Sequence, residues 1–306
     1  MQQPHELGWL PKSKWQVFQR KNNKRWDDDQ KLVLYRLKQG TQPWLDAREK
    51  FHIRGSDVAN YMGIGFDKFF TFATRTLKVY DPEFKTAWYD KLLEEQRRDI
   101  NTTPGKLSED VNRWILTRRI QKPIDESGIT VNNDVDPNVG VSLDGTVYNP
   151  FPESPLPDIY VGNYMLDKDF LYDHSSPEAV AEFKFRVHTE IYNVIPKYYM
   201  AQIQMQMLIA NVRKCYFACM RVIPGTKKVE QRLWIVEHSD AYINNYMLPL
   251  MELGIQALER QDVDFIHPKI EEPFVRILSD ETLIFSEEVV QAAIRLTNSS
   301  SAWLSL

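Results

Sequence analysis

Apolar and polar residues follow a helical period along this chain before Ile129, and from there a two-residue period appears, interrupted by further helical stretches. In KLVLYRLKQG, Leu32, Tyr35 or Arg36 and Leu37 keep helical spacing and the run stops at Gly40, which predicts a helix from about Gln30. A second helix is expected from about Pro43 to Lys50. After Arg54 and Gly55, SDVANYMGIG reads as a helix capped by Ser56 and closed by Gly63. Lys68 to Gln96 reads as two helices broken near Asp81 and Pro82. Another helix should follow Gly105, from about Leu107 to Arg119, with Glu109 and Asp110 in its first turn.

The strands come next. VGVSLDGTVY predicts one half-buried strand with Val139, Val141, Leu143 and Val147 on one face and Ser142, Asp144, Thr146 and Tyr148 on the other. A Pro-rich segment beginning NPFPESPLPD follows and reads as an irregular insertion at about 149–177. AVAEFKFRV alternates again, with Glu182, Lys184 and Arg186 opposite Ala181, Phe183, Phe185 and Val187. Pro196 opens a helix, KYYMAQIQMQMLIAN. CYFACMRVI and VEQRLWIVEH then form a hairpin about Pro224 and Gly225, and a helix from about Ser239 to Arg260 closes the core. No internal repeat is present. Helices first, then strands with a crossing helix, predict a mixed α+β domain over 41–262, with extensions at 1–40 and 263–306.

Composition narrows the class. With 43% hydrophobic and 12% aromatic residues in 306, the chain is neither disordered nor collagen-like. A net charge of -4 supplies no global basic field for nucleic acid. Locally, KSKWQVFQRKNNKR from Lys12 to Arg25 holds six basic residues and no acid, and it is open between a basic arm on DNA and a solvated extension. Cys215 and Cys219 on one strand would stand roughly 13 Å apart, too far for a bridge, and free thiols suit a reducing compartment. No apolar leader or membrane span is visible, so the expected protein is soluble and intracellular, without a membrane partner.

Candidate chemistry sits on the strands. Glu182 and Lys184 leave the same face, and Asp144 joins that face if the two strands pair. Two carboxylates about 4 Å apart repel by roughly 4 kcal/mol at an effective dielectric of 20, so such a cluster needs a counter-charge. Mg²⁺, which prefers oxygen ligands, would supply it. Glu-x-Lys by itself also describes an ordinary solvated strand face. The helix after Pro196 adds context, because it is uncharged yet carries Gln202, Gln204 and Gln206, whose buried amides need partners. Those partners are open between another element's backbone and a carboxylate, water or phosphate at a site. Arg48, Arg54 and Ser56 surround a helix start, where free N–H groups favour an anion.

In order and approximate spacing, WLDAR…RGSDVANYMGIG, GKLSEDV, GVSLDG, AEFKF, YYMAQIQMQMLIAN and CYFACM resemble the lambda-type alkaline exonucleases. This is the YqaJ-like viral recombinase family of the PD-(D/E)xK nuclease superfamily. The resemblance runs from about Trp44 to Arg221 and implies a restriction-endonuclease-like α+β core, a mixed central sheet flanked by helices, with a helical amino-terminal part. It implies that Glu109, Asp144, Glu182 and the Phe183 carbonyl bind one or two Mg²⁺ ions, with Mn²⁺ as a substitute. Lys184 would position or deprotonate the attacking water, and Gln202 would orient groups at the scissile phosphate. Arg48 and Ser56 resemble a 5′-phosphate pocket, with Arg54 sharing or replacing the role of Arg48 because one extra residue separates Arg48 from Ser56. Leu143 stands where the superfamily prefers Pro, at a position expected to pack.

The function implied is digestion of the 5′-ended strand of linear double-stranded DNA, leaving 3′ overhangs. Its partners would be DNA ends, a single-strand annealing protein and two further copies in a trimeric ring, in the cytoplasm or, for a viral protein, the host nucleus. An endonuclease or RNA-cleaving nuclease of the same fold is the alternative, and a non-enzymatic DNA-binding or annealing protein is a third reading. An iron–sulfur nuclease would need four cysteines, and this chain has two.

Overall fold

The computed structural model describes residues 32–35, 39, 44, 47, 48, 51, 53–65, 69–78, 102–136, 139–150, 172–187 and 189–305. The basic segment Lys12–Arg25, the second helix read before Gln96 and most of the Pro-rich insertion lie outside them. Strands β1 (Leu32–Tyr35) and β2 (Ile53–Arg54) precede a 3-10 turn, Gly55–Asp57, and helices α1 (Val58–Tyr61), α2 (Phe69–Lys78) and α3 (Thr102–Ile120). Then come β3 (Ile124–Asp125), β4 (Ile129–Asn132), β5 (Val139–Ser142), β6 (Gly145–Pro150) and β7 (Tyr172–Arg186). Helix α4 (Lys197–Ala210) crosses to β8 (Lys214–Val222), which turns into β9 (Val229–Glu237). Helix α5 (Leu248–Glu259), strand β10 (Ile277–Phe285) and helix α6 (Glu287–Thr297) complete the order.

These strands form two sheets, β1-β4-β5-β2 and β10-β9-β8-β7-β6-β3. The larger is mixed, because β7 and β8 run parallel across α4 while their other neighbours are antiparallel. The expected class, mixed α+β with helices flanking a mixed sheet, is the one observed. Helix α4 touches β4 and β5 of the small sheet and β7 and β8 of the large one. That double contact explains its lack of a charged face, since a helix packed all round is apolar all round. On the far side of the large sheet, Leu116 of α3 packs with Ala179, Ala181, Phe183, Tyr216 and Leu233. Among the described residues no helix is long and apolar enough to cross a membrane. Cys215 and Cys219 are buried and free on β8, as their spacing requires.

Several local readings change. Leu32–Tyr35 is a strand, not helix: four apolar-rich residues are ambiguous by period, and antiparallel pairing with Ile129–Asn132 decides the matter. Helix α3 starts at Thr102, so Gly105 lies inside it and Glu109 and Asp110 sit about two turns in rather than at its start. VGVSLDGTVY is two strands in different sheets, with Leu143 and Asp144 at the step between them. Its outer face is partly exposed only at Ser142 and Asp144, since Thr146 and Tyr148 are buried. A Cβ on Gly145 would lie 2.6 Å from Ile124 Cγ2, so glycine lets β6 close against β3 at that step.

Strand β7 already begins at Tyr172, within the segment read as irregular. The helix read from Ser239 to Arg260 is interrupted by a π turn at Ile243–Met247, just before Pro249, whose missing N–H breaks the regular ladder. Ser56 does not cap α1, whose start has no side-chain cap bond.

Beyond α5 the chain returns to the core. β10 pairs with β9, and Trp303 is fully buried with Val111, Ile115, Val290 and Ala293, edge-on to Phe185 at 5.6 Å. Trp303→Ala should lower unfolding free energy by about 3–5 kcal/mol. Urea denaturation checks this, and an unchanged midpoint would show that the closing turn adds no stability.

Candidate active site between the two sheets

Glu182 is the most enclosed acid of the predicted set, at 1% exposure on the face of β7 that meets α4. Its Oε1 accepts from Gln202 Nε2 at 2.7 Å and from Lys184 Nζ, and its Oε2 accepts from Gln206 Nε2 at 2.6 Å. Gln202 and Gln206 are one turn apart, so a single face of α4 grips both oxygens. Gln206 Nε2 also reaches Ser142 O at 3.3 Å, tying the cage to the small sheet. Gln204 does a different job: it donates to Glu237 O and accepts from Ser239 N, each at 2.9 Å. Both fates open to the buried amides are therefore realised on one helix.

Asp144 occupies the step from β5 to β6, where Oδ2 accepts from Phe183 N at 2.8 Å. In a strand a residue's own N–H and C=O leave toward the same edge, so the Phe183 carbonyl also faces Asp144. Pairing of β6 with β7 ends at Gly145 and Ala181, and among the described residues no strand pairs with that edge beyond them. Leu143 is fully buried and packs as expected, while its carbonyl accepts from Gln39 Nε2 at 2.9 Å. Glu109 approaches from α3 through Arg113, a residue 2% exposed. Arg113 Nη2 donates to Glu109 Oε1 at 3.2 Å and to Asp144 O at 3.1 Å, while Nη1 donates to Asp110 Oδ1 at 2.6 Å.

The acids feel one another. Burial, then the charges of Glu182 and Glu109, hold Asp144 well above the usual carboxylate range. Burial pushes Glu109 up to about 7, helped by Glu126, Asp110 and Glu182 and opposed by Arg113. Burial alone would lower Lys184, but Glu182 and Asp144 outweigh it and hold the ammonium form. In this arrangement Nζ is a donor, able to orient a water rather than to take its proton. Its charge also lies 4.9 Å from the centre of the Tyr199 ring.

A second group lies beside the first. Arg48 Nη2 donates to Ser56 Oγ at 3.4 Å, and its guanidinium sits 4.9 Å over the Trp44 ring. Burial and the nearby Arg54 charge lower the Arg48 pKa, so all three predicted residues are neighbours. Arg54 pairs with Gly140 at the end of β2, alongside the strand that delivers Asp144. A Cβ on Gly55 would be 3.1 Å from Val141 Cγ1, so this turn packs closely on β5, and it also touches α4.

The structure thus brings Glu109, Asp144, Glu182, Lys184 and Gln202 into one neighbourhood and Arg48, Arg54 and Ser56 into another next to it. Arg113, Gln206 and Gln39 were not among the predicted site residues. Arg113 could have been found four residues after Glu109 on one helix face, and Gln206 four after Gln202. Gln39 leaves no sequence signal, since its contact spans 104 positions.

Among the described residues no three acids, histidines or cysteines converge as a closed ion-binding group. The donor chemistry nevertheless fits a hard divalent cation: Asp144 and Glu109 are carboxylates raised by burial and by neighbouring acids, and buried Gln206 Oε1 has no partner. The site is thus a group of buried carboxylates beside a lysine, placed where a mixed α+β sheet meets helix α4. The chain belongs to the YqaJ-like viral recombinase domain family, whose model matches residues 43–213.

No curated protein matches the sequence. Among solved structures, an alkaline exonuclease from Laribacter hongkongensis is similar at 15% identity and TM-score 0.42, over 73% of this chain and 95% of that one. Its complex with dAMP gives 14% identity and TM-score 0.41 over the same shares.

Glu109 carries a pH prediction. Its raised pKa means that the folded chain binds more protons than the unfolded one between the ordinary glutamate value and about 7. In chelator-containing buffer its contribution to stability should therefore be lost as pH rises through that window, and Glu109→Gln should flatten the decline. Thermal midpoints from pH 4 to 8 test this, and equal slopes for both proteins would refute it.

Proposed function

We propose that the chain is a Mg²⁺-dependent nuclease that digests the 5′-ended strand of linear duplex DNA, leaving 3′ single-stranded overhangs for recombination. The observation that carries the reading is the Glu182 carboxylate, caged by Lys184, Gln202 and Gln206 and crowded by Asp144, in a chain of the YqaJ-like family. Glu109, Asp144, Glu182 and the Phe183 carbonyl would hold one or two Mg²⁺ ions, and Mn²⁺ would substitute. Bound there, the ion would polarise the phosphodiester and lower the pKa of a water.

The chain's own groups supply the rest. Lys184 Nζ donates toward the site and orients the attacking water. Gln202 Nε2 keeps Glu182 turned toward the reacting groups, and Gln206 links that carboxylate to the Ser142 carbonyl of the small sheet. Arg48, Arg54 and Ser56 receive the terminal 5′-phosphate, because two guanidinium groups beside a hydroxyl make a charge-assisted anion site. An annealing protein taking over the exposed 3′ strand, and a ring of three copies, belong to the same reading.

The test uses linear duplexes with a 5′-phosphate or a 5′-hydroxyl, closed circles, and RNA of the same sequence. Wild type with Mg²⁺ should degrade the linear phosphorylated duplex and leave circles and RNA intact. Lys184→Ala and Glu182→Gln should each slow digestion by about 10²-fold or more. Arg48→Ala should erase the preference for a 5′-phosphate. Equal digestion by wild type and both site variants would discard the site, and cut circles or RNA would replace the activity with the endonuclease or RNA-cleaving alternative.

A further inference from the structure

Two residues beyond Lys184, on the same face of β7, stands a cation that the proposed chemistry does not use. Arg186 donates from Nη1 to Tyr192 Oη at 2.6 Å, and its guanidinium lies 4.3 Å from the centre of the Tyr192 ring. Among the described residues no carboxylate pairs with it, and its buried Nε has no hydrogen-bond partner. Its neighbour across the sheet, Arg221, differs: Glu230 accepts from Arg221 Nε at 2.5 Å. A half-buried arginine stacked on a ring and left without an anion keeps its Nη2 donors for one that arrives from outside.

The surroundings are built for it. Tyr192, Tyr198 and Tyr199 form a continuous aromatic group, with ring centres 5.9 Å apart for Tyr192 and Tyr199 and 4.4 Å for Tyr198 and Tyr199. Tyr199 also carries the Lys184 ammonium at 4.9 Å, so the rings join Arg186 to the candidate active site. Burial and the Tyr192 hydroxyl push Tyr198 up to about 12, and its hydroxyl stays a donor at neutral pH. Tyr192 is fixed from behind: Arg232 Nη1 donates to its carbonyl at 2.9 Å. Arg232 is itself clamped by Asp280 of β10 through two bonds of 2.8 Å.

We infer that Arg186, held in place by the Tyr192 hydroxyl, binds a backbone phosphate adjacent to the one cleaved, with the tyrosine rings lying against the sugar or base between them. Lys184 and Arg186 are two strand residues apart, about 6.6 Å, comparable with the separation of successive phosphates along a strand. Arginine suits a phosphate because its planar fork matches the oxygens, and aromatic rings accept any base, which a sequence-tolerant nuclease needs. Asp280 and Arg232 are positioning residues for Tyr192 and touch no DNA.

This inference rests on the nuclease reading, and the experiment separates the two. Initial rates on a 5′-phosphorylated linear duplex are measured against DNA concentration at several salt concentrations, with circular dichroism as the folding control. Arg186→Gln should raise KM about 10-fold with kcat within about twofold, and should reduce the slope of log(kcat/KM) against log salt by about one, the signature of one lost phosphate contact. Arg186→Lys keeps the charge and should retain the slope while raising KM. Asp280→Asn should raise KM less and also retain the slope. Wild-type digestion with unchanged KM and slope in Arg186→Gln would overturn this phosphate site alone. Absence of digestion by the wild type would overturn the nuclease reading beneath it.

Discussion

Taking the Glu182 carboxylate almost wholly out of water is the constraint around which the rest of the molecule is arranged. An ionised carboxylate buried without partners would cost several kcal/mol or would simply take up a proton. Here its two oxygens accept from Gln202, Gln206 and Lys184, so hydrogen bonds take the place of solvent. That requirement explains why α4, otherwise one of the most apolar helices in the chain, spends two of its positions on amides facing β7. It also explains why α4 must be wedged between both sheets, since only there does one face reach Glu182 and the Ser142 carbonyl together.

The same wedge sets the position of Asp144. The chain leaves the small sheet after Ser142 and enters the large one at Gly145, and the acid stands at the step. Phe183 N holds it from one side, and Arg113 holds the adjoining backbone from the other while neutralising part of Glu109. Each acid is thus tied to a different element, and each tie passes through a residue that is itself buried. The result is a set of carboxylates whose burial, added to their mutual crowding, raises the pKa values of Asp144 and Glu109, with one ammonium and one guanidinium among them.

The carboxy-terminal part belongs to this arrangement. β10 supplies Asp280, which clamps Arg232, which in turn fixes Tyr192 beside Arg186. Trp303 closes over Phe185 on the opposite face of the same strand. Both faces of β7 are therefore braced by residues beyond Arg260, and the chain end contributes to the geometry near the site as well as to stability.

Read alone, the chain's residue order determined which side chains could carry chemistry. Alternation in AEFKF put Glu182, Lys184 and Arg186 on one face, and an uncharged helix with glutamines one turn apart announced buried amides in need of partners. Those signals are local, since they depend only on strand and helix periods. What the residue order could not determine was every contact formed across a long separation. Leu32–Tyr35 became a strand because β4 offers an edge, and VGVSLDGTVY broke in two because its halves find different sheets. Gln39 reached Leu143, and Arg113 reached the Asp144 carbonyl. Only the tertiary structure decides such pairings, because a local period fixes where a side chain points on its own element, whereas burial and hydrogen bonding depend on which distant element comes to face it.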